Sequence, residues 1–339
     1  MRMNPLDRSP IGRTPLRVTR FGLGGAALGN LFQKVDEATA RRTLDLAFDR
    51  GLRYVDTAPY YGHGLSEHRI GEALRGRERS EFVISTKVGR LLRPLRGRPM
   101  PDTGYVDTLP FEPVFDYGYA AVMRSFEDSL QRIGTDSLDI LLVHDIGRMT
   151  HGDRHPELFR ALMSGGYRAL DELRSAGVVK AIGLGVNEID VCLEAMDHGR
   201  FDCFLLAGRY TLLEQRALDE LFPRCVRDGV SIILGGPYNS GLLTGEPKVG
   251  ANYNYAPAAR EIVERAHRLY EVCRNHGVPL EAAALQFPLF HPAVATVIPG
   301  ARNDRELGGN LEFFATPIPP ALWRDLKSAG LLRPDAPTE

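Results

Sequence analysis

The chain has 339 residues, of which 43% are hydrophobic, enough for one large α/β domain or two ordinary ones and for a sizeable core. Its formal net charge is -1, so no global field draws it to nucleic acid or to an anionic membrane. No apolar run approaches the ~20 residues of a membrane span. The N-terminus carries arginines, but Pro5, Asp7 and Pro10 interrupt it and no apolar stretch follows, so it reads as mature protein rather than a targeting peptide. Cys192, Cys203, Cys225 and Cys273 form no C-x-x-C pair and read as buried or incidental thiols of a reducing cytoplasm.

Before the first strand, P-I-G-R-T-P-L-R-V-T-R predicts a hairpin turning at Gly12-Arg13-Thr14, ahead of residue 20. It is placed to plug the N-terminal end of a barrel. Apolar, β-branched runs then predict strands at 21–25, 53–56, 82–87, 138–143, 179–184, 202–206, 230–235 and 293–298. Helical patterns follow at 36–50, 66–75, 119–132, 164–176, 188–198, 214–228 and 257–276, with a short one at about 303–312. The strands show little polar alternation and are therefore buried on both faces, as in a parallel sheet. The chain exceeds the ~250 residues of a plain (β/α)8 barrel, so such a fold must carry insertions. Asp36 caps a helix that ends at Gly51, Ser66-Glu67 marks a second helix start, and Asn275-His276-Gly277 with Pro279 closes a long helix. No linker stands out, so residues 1–339 read as one domain with a C-terminal extension after about 315. Segments 88–118, 145–163 and 236–256 read as long loops, all following strands. Tyr105, Phe111, Phe115 and Tyr117 in the first, and Tyr238, Tyr253 and Tyr255 in the third, suit a substrate wall.

Four polar residues sit at or just after strand ends: Asp56 and Tyr61 in V-D-T-A-P-Y-Y-G, Lys87 in I-S-T-K-V, and His144 in L-L-V-H-D. Singly, each has a bland explanation: a solvated lysine, a satisfied histidine, an aspartate capping a turn. Together, in order at the second, third and fourth strands, they converge on the C-terminal face of a parallel barrel. A free phenol has a pKa near ~10, and a neighbouring ammonium favours its ionised form. Lys87 suits that role, with Asp56 holding the lysine charged. His144 can donate to a substrate oxygen. Tyr61 would then exchange a proton with a carbonyl or hydroxyl oxygen while a hydride moves at the adjacent carbon.

The motifs G-L-R-Y-V-D-T-A-P-Y-Y-G-H-G-L-S-E, I-S-T-K-V, L-D-I-L-L-V-H-D, I-G-L-G-V-N-E and V-I-P-G-A-R-N-D-R-E-L-G-G-N resemble an aldo-keto reductase from about residue 16 to 315. The resemblance implies a (β/α)8 TIM barrel that binds a nicotinamide cofactor without a Rossmann fold. Gly22, Gly24, Gly25 and Gly29 indeed miss the G-x-G-x-x-G spacing. It makes Asp56, Tyr61, Lys87 and His144 the catalytic tetrad, with Tyr61 chosen over Tyr60 because it directly precedes Gly62. Tyr60 becomes a wall of the substrate pocket, and Tyr238, from the aromatic content of the third long loop, is taken as substrate-binding beside it. Asn187 matches the residue that holds the nicotinamide carboxamide, while Val186 and Ala207 stand where the family has serine and glutamine. Tyr210 matches a family aromatic without an assigned contact. Gly241, Leu242 and Gly300 are placed to offer backbone N–H groups to the diphosphate, beside a helix N-terminus near 303. Asn310 matches the adenine contact. Glu306 falls where members using NADP carry a basic residue, which favours NAD, whereas Arg302 and Arg305 favour NADP.

The segments A-P-Y-Y-G-H-G-L-S-E and L-L-A-G-R-Y-T-L-L resemble the aldose dehydrogenase subgroup. This implies oxidation of the anomeric hydroxyl of an aldose of the L-fucose, L-galactose or D-arabinose type to its lactone. Pyridoxal, oxidised as its hemiacetal to 4-pyridoxolactone, is the alternative; others are a general NADPH-dependent aldehyde reductase and a cofactor-binding regulatory subunit. His151, Asp153 and His155 lie in a polar, loop-like stretch and are assigned no metal. The basic run R-L-L-R-P-L-R-G-R is assigned no nucleic acid. His63 and His68 are expected to face solvent.

Overall fold

A computed structural model describes residues 3–248, 250–254 and 256–339, which leaves Tyr255 of the expected aromatic wall outside the described residues. Eight parallel strands form one sheet: β1 (Leu23–Gly24), β2 (Tyr54–Asp56), β3 (Val83–Val88), β4 (Ile140–His144), β5 (Ala181–Val186), β6 (Cys203–Ala207), β7 (Ser231–Gly235) and β8 (Val294–Ile298). Parallel bridges Phe21–Val297 and Gly24–Gly300 join the first strand to the last and close the sheet as a (β/α)8 barrel. The Gly22 N–H donates to Val297 O at 2.9 Å across that seam.

The period of two along each strand divides its side chains between two cores. Tyr54, Val83, Ile140, Leu142, Ala181, Leu205 and Ile233 fill the barrel, while Val55, Ile84, Leu141, Ile182 and Ile232 pack outward against the helices. The strands of the barrel are lined on both faces by apolar side chains, which explains their unbroken apolar runs. The hairpin Arg8–Pro10 with Arg17–Thr19 lies across the strand starts. Its Ile11, Leu16 and Val18 join the interior cluster, and the Gly12 N–H donates to Ser231 Oγ at 2.8 Å. The C-terminal stretch contains a helix at Pro320–Ser328 whose Trp323 packs edge-on against Phe290.

Several boundaries differ from expectation for identifiable reasons. Strands β4 and β5 each begin two residues later than their apolar runs, because Leu138 and Val179 are buried below the ladder. Between them Asp139 accepts from the Ile84 N–H, Arg79 and Lys180, ending the pairing with a charged network. Segment 145–163 is largely helical rather than looped: Arg148–His151, Gly152–Arg154 and His155–Ala161 are short pieces, none longer than about two turns, too short to repeat an amphipathic pattern. A π-helical turn at Leu162–Gly166 leads into the helix Tyr167–Ser175. Segment 88–118 contains a second hairpin, Arg90–Pro94 with Phe111–Phe115. Residues 214–228 are helical only from Leu221, after a short turn at Arg216–Leu218. Leu280–Gln286 is a helix that sequence reading missed, since all of it but Glu281 is buried and no polar stripe marks it. Asp36 caps its helix as expected, accepting from the Thr39 N–H at 2.9 Å. Ser66 does not cap: its hydroxyl donates to Gly25 O at 2.8 Å, binding the second helix to the loop after β1. His151 pairs with the Tyr117 hydroxyl, and buried His155 bridges Ile146 O and Glu194. All four cysteines are buried and free. No described helix is long and apolar enough to cross a membrane.

The tightest backbone approach in the barrel is at Gly183, where a Cβ would lie 1.8 Å from Cys203 O. Gly183→Ala should therefore separate β5 from β6 and lower stability by about 1–3 kcal/mol or more. Calorimetry checks this; an unchanged melting temperature would show that these strands have slack.

Candidate active site

The inward positions at the C-terminal strand ends supply the polar residues. On β3, Ser85 and Lys87 follow Val83 at alternate positions, and on β4 His144 follows Leu142 in the same way. Lys87 and Asp56 are 1% and 2% exposed, and the ammonium donates to Asp56 Oδ2 at 2.7 Å and to Thr57 O at 2.9 Å. The other carboxylate oxygen accepts from Ser85 Oγ at 2.6 Å, and Ser85 in turn bonds the Tyr54 hydroxyl at 2.8 Å. Burial pushes the Asp56 carboxyl up and the Lys87 amine down, and in both cases the partner's charge opposes the shift.

Tyr61 is carried by the turn between β2 and the helix Leu65–Leu74. Gly62 there has φ +65°, and a Cβ on it would meet Gly29 O at 2.5 Å, so the loop after β1 presses the tyrosine's backbone into place. Arg69 fixes that loop by donating to Leu28 O, Asn30 Oδ1 and Val35 O. The Lys87 nitrogen lies 4.5 Å from the centre of the Tyr61 ring. His144 meets the same ring edge-on, with centroids 5.8 Å apart. Its imidazole is 6% exposed, and burial, reinforced by Arg90 and Lys87, holds its pKa well below the ordinary histidine range. The ring is therefore neutral and carries one N–H donor.

Tyr60, Tyr61, Lys87 and His144 open onto one cavity of about 420 Å³ at the barrel mouth. Asn187, Val186 and Ala207 line it too, with Gly185 and Ala26 beside them. Asp56 lies behind Lys87 rather than on the wall. Leu31 bridges to Tyr105 and the Phe32 N–H donates to Gly104 O at 2.8 Å, so the loops after β1 and β3 meet at this cavity.

The remaining expected residues form a second group on the loops after β7 and β8. Gly241 and Leu242 lie in a turn where Asn239, Ser240 and Gly241 have φ of +46°, +60° and +91°. Their N–H groups already donate to Tyr238 O and Asn239 O. Gly300 sits at the seam beside Gly24, and Asn303 caps the helix Asp304–Ala315 by accepting from the Glu306 N–H. Arg302 is bound to Glu306 at 2.8 Å and to Gln33 Oε1 at 3.0 Å, so it bridges the first and last loops of the barrel. Tyr238, expected in the substrate pocket, is instead outside the cavity. Its turn folds back on itself, Leu243 N–H to Tyr238 O, and the hydroxyl donates to Asn310 Oδ1 at 2.7 Å. Tyr117 is also behind the wall, donating to His144 O at 2.8 Å, and Tyr210 is buried among Phe222, Phe287 and His291. His63, expected at the surface, is fully buried with Nε2 at 3.0 Å from Thr103 Oγ1, whereas His68 is exposed.

Sequence reading missed Arg90 and Asp145. Both line the cavity, and the Arg90 guanidinium carbon lies 3.8 Å from the centre of the Tyr60 ring. Arg90 opens the basic run to which sequence reading assigns no nucleic acid and no other role.

A closed parallel barrel with a buried Lys–Asp pair, a tyrosine and a neutral histidine at its mouth defines an oxidoreductase of one family. Residues 20–330 match the aldo/keto reductase family, and the chain belongs to it. It is 44% identical to a pyridoxal 4-dehydrogenase of Microbacterium luteolum, over 98% of this chain and 100% of that one. It is 41% identical to a D-threo-aldose 1-dehydrogenase of a Pseudomonas species, over 94% and 95% of the two chains. Among solved structures, the holo form of the aldo-keto reductase AKR11C1 of Bacillus halodurans superposes with a TM-score of 0.75 at 26% identity, covering 95% and 96% of the chains.

The depressed His144 pKa has a stability consequence. Below the unfolded value near ~6.5 the unfolded chain binds a proton that the native ring refuses. Stability should thus fall with decreasing pH below ~6.5, by up to about 1.4 kcal/mol per unit from this ring alone. Denaturant titrations of wild type and His144→Asn should diverge over that window; parallel acid limbs would show that His144 titrates normally.

Proposed function

We propose that this chain oxidises the hydroxyl-bearing carbon of a cyclic hemiacetal to a lactone, using a nicotinamide dinucleotide. The observation that carries this reading is the buried Lys87 ammonium, held between Asp56 and the Tyr61 ring and facing the same cavity as a neutral imidazole. The Tyr61 oxygen takes the hydroxyl proton, with the nearby positive charge favouring the phenolate. His144 donates a hydrogen bond to the substrate oxygen and fixes it. When bound, the cofactor supplies the acceptor for the hydride that leaves the same carbon. The balance is one proton and one hydride removed per C=O formed.

The residues fit such a cofactor. Gly185, Val186, Ala26 and Ala207 leave room for a flat ring beside Lys87, and Asn187 is the amide side chain on that wall. The helix N-terminus at Asp304 and the Gly300 segment suit a diphosphate, and Asn310 suits the adenine. Gly241 and Leu242 are a phosphate contact only if their turn opens, since their N–H groups are engaged within it. NAD is the favoured form: Arg302 is already committed to Glu306 and Gln33, and Glu306 repels a 2'-phosphate.

Aldoses of the L-fucose, L-galactose and D-arabinose type carry the required carbon, and the aldose 1-dehydrogenase relative supports them. Pyridoxal in its hemiacetal form carries it as well. The rings of Phe32, Tyr60, Tyr61 and Tyr105 on the cavity wall, and the pyridoxal 4-dehydrogenase relative, support that second reading.

The purified enzyme with NAD should reduce the cofactor on one of these four substrates. Tyr61→Phe should lower turnover by about 10²–10⁴-fold. Silence on all four, with rapid NADPH-driven reduction of simple aldehydes, would replace this reading by a general aldehyde reductase. kcat/KM should be higher with NAD than NADP, and Glu306→Ala, which releases Arg302, should raise the NADP/NAD ratio by about tenfold or more. A strong NADP preference in the wild type, or a ratio unmoved by the substitution, would show that this pair does not read the ribose.

A further inference from the structure

The cavity holds a charged pair that the proton and hydride transfers leave unused. Gly89, at φ +97°, turns the chain out of β3; a Cβ there would meet the Tyr117 ring at 2.4 Å. The next residue, Arg90, is 7% exposed and sandwiched between aromatic rings, 3.8 Å from the centre of Tyr60 and 4.7 Å from that of Phe115. One guanidinium N–H goes to the Asp145 carboxylate. The Nε–H is buried and has no hydrogen-bond partner among the described residues. Asp145, directly after His144, is held in the left-handed region at φ +48°, with its own N–H on Gly185 O at 3.0 Å. Its carboxylate lies 3.5 Å from His144 Nε2.

A purely structural role, fastening the second hairpin to the end of β4, accounts for the Arg90–Asp145 contact. Arg20 and Arg224 also leave a buried Nε–H without a hydrogen-bond partner among the described residues, but of the three only Arg90 lines the cavity. A fastening role does not explain why both charges stand on the wall of the substrate cavity. Guanidinium carries five N–H donors in a planar fork, and its charge-assisted hydrogen bonds are about twice as strong as neutral–neutral ones, with an ionised oxygen adding Coulomb attraction that a hydroxyl lacks. The two substrate classes differ at this point. An aldose surrounds its hemiacetal carbon with neutral hydroxyls. Pyridoxal places it on a flat ring, next to a phenol whose proton moves to the ring nitrogen near neutral pH, leaving an ionised oxygen.

We propose that Arg90 is the specificity-determining residue of this cavity, its guanidinium taking an ionised oxygen on a flat aromatic hemiacetal, with Asp145 as the positioning residue that aims it. This rests on the lactone-forming reading above and selects the pyridoxal type within it. Tyr60, lying under the guanidinium and edge-on to His144 with centroids 5.9 Å apart, links the clamp to the reacting centre.

The test compares pyridoxal, 3-O-methylpyridoxal and L-fucose in the wild type, Arg90→Lys and Arg90→Gln, with NAD. Wild type should favour pyridoxal by kcat/KM and lose about 10- to 100-fold on the O-methyl analogue, the range of a charge-assisted hydrogen bond. Arg90→Gln should lose a similar factor on pyridoxal, much less on L-fucose, and discriminate little between pyridoxal and its methyl ether. Arg90→Lys should recover part of the loss, since it keeps the charge without the fork. A wild type that prefers L-fucose, or that treats pyridoxal and its methyl ether alike, overturns the clamp without any variant having to fold. Equal losses on both substrates in Arg90→Gln make Arg90 structural and also overturn it. If the wild type turns over none of the three, the lactone reading fails. Calorimetric binding of pyridoxal against its methyl ether then decides the clamp separately, with equal affinities overturning it.

Discussion

The Lys87–Asp56 pair is the contact on which the mouth of this barrel depends. Two charges sealed from water attract each other strongly, but each also forfeits hydration, and the balance is favourable only when every remaining donor and acceptor is met. Here it is met in layers. Asp56 has Lys87 on one oxygen and Ser85 on the other; Ser85 has Tyr54; Lys87 has Thr57 O as a second acceptor. Each of these residues sits at an inward position of β2 or β3 or directly after one. The strand register that places them is therefore the same register that fills the barrel with Tyr54, Val83 and Ile140. A slip of one residue would exchange the charged network for the apolar outer face.

The pair also shapes what surrounds it. A fixed ammonium 4.5 Å from the Tyr61 ring works against a second positive charge nearby, which adds to burial in keeping His144 neutral. Arg90 acts in the same sense and more strongly. The site thus separates its roles electrostatically: two cations, Lys87 and Arg90, one neutral imidazole donor, and one phenol whose ring touches both the ammonium and the imidazole. The backbone enforces this arrangement through close approaches. Gly29 against Gly62 and Gly89 against Tyr117 fix the two turns that carry Tyr61 and Arg90.

Much of this was legible in the sequence because burial and periodicity are local signals. The strands announced themselves as apolar runs, and Asp56, Lys87 and His144 stood out as polar endings to them. What stayed hidden depended on partners far along the chain. Arg90 and Asp145 are 55 residues apart, and neither neighbourhood suggests the other. Arg69 looked like an ordinary helix residue, yet it secures the loop after β1 through acceptors about 34 to 41 residues away. Tyr238 was assigned by its loop, but the direction of a side chain on an irregular turn is set by tertiary contacts, here Asn310. The stretch 145–163 read as loop because its helices are each too short to repeat a period convincingly. Burial of His63 was likewise unreadable, since its neighbour Thr103 comes from a different insertion.

The hairpin across the strand starts closes the floor of the barrel, with Ile11, Leu16 and Val18 sealing it from below. Above it Tyr54, Val83, Ile140 and Leu142 fill the barrel, so the interior is solid beneath the mouth. The small N-terminal hairpin is thus a damp-proof course: water rising through the floor would loosen Lys87 from Asp56, two charges whose mutual grip depends on dryness.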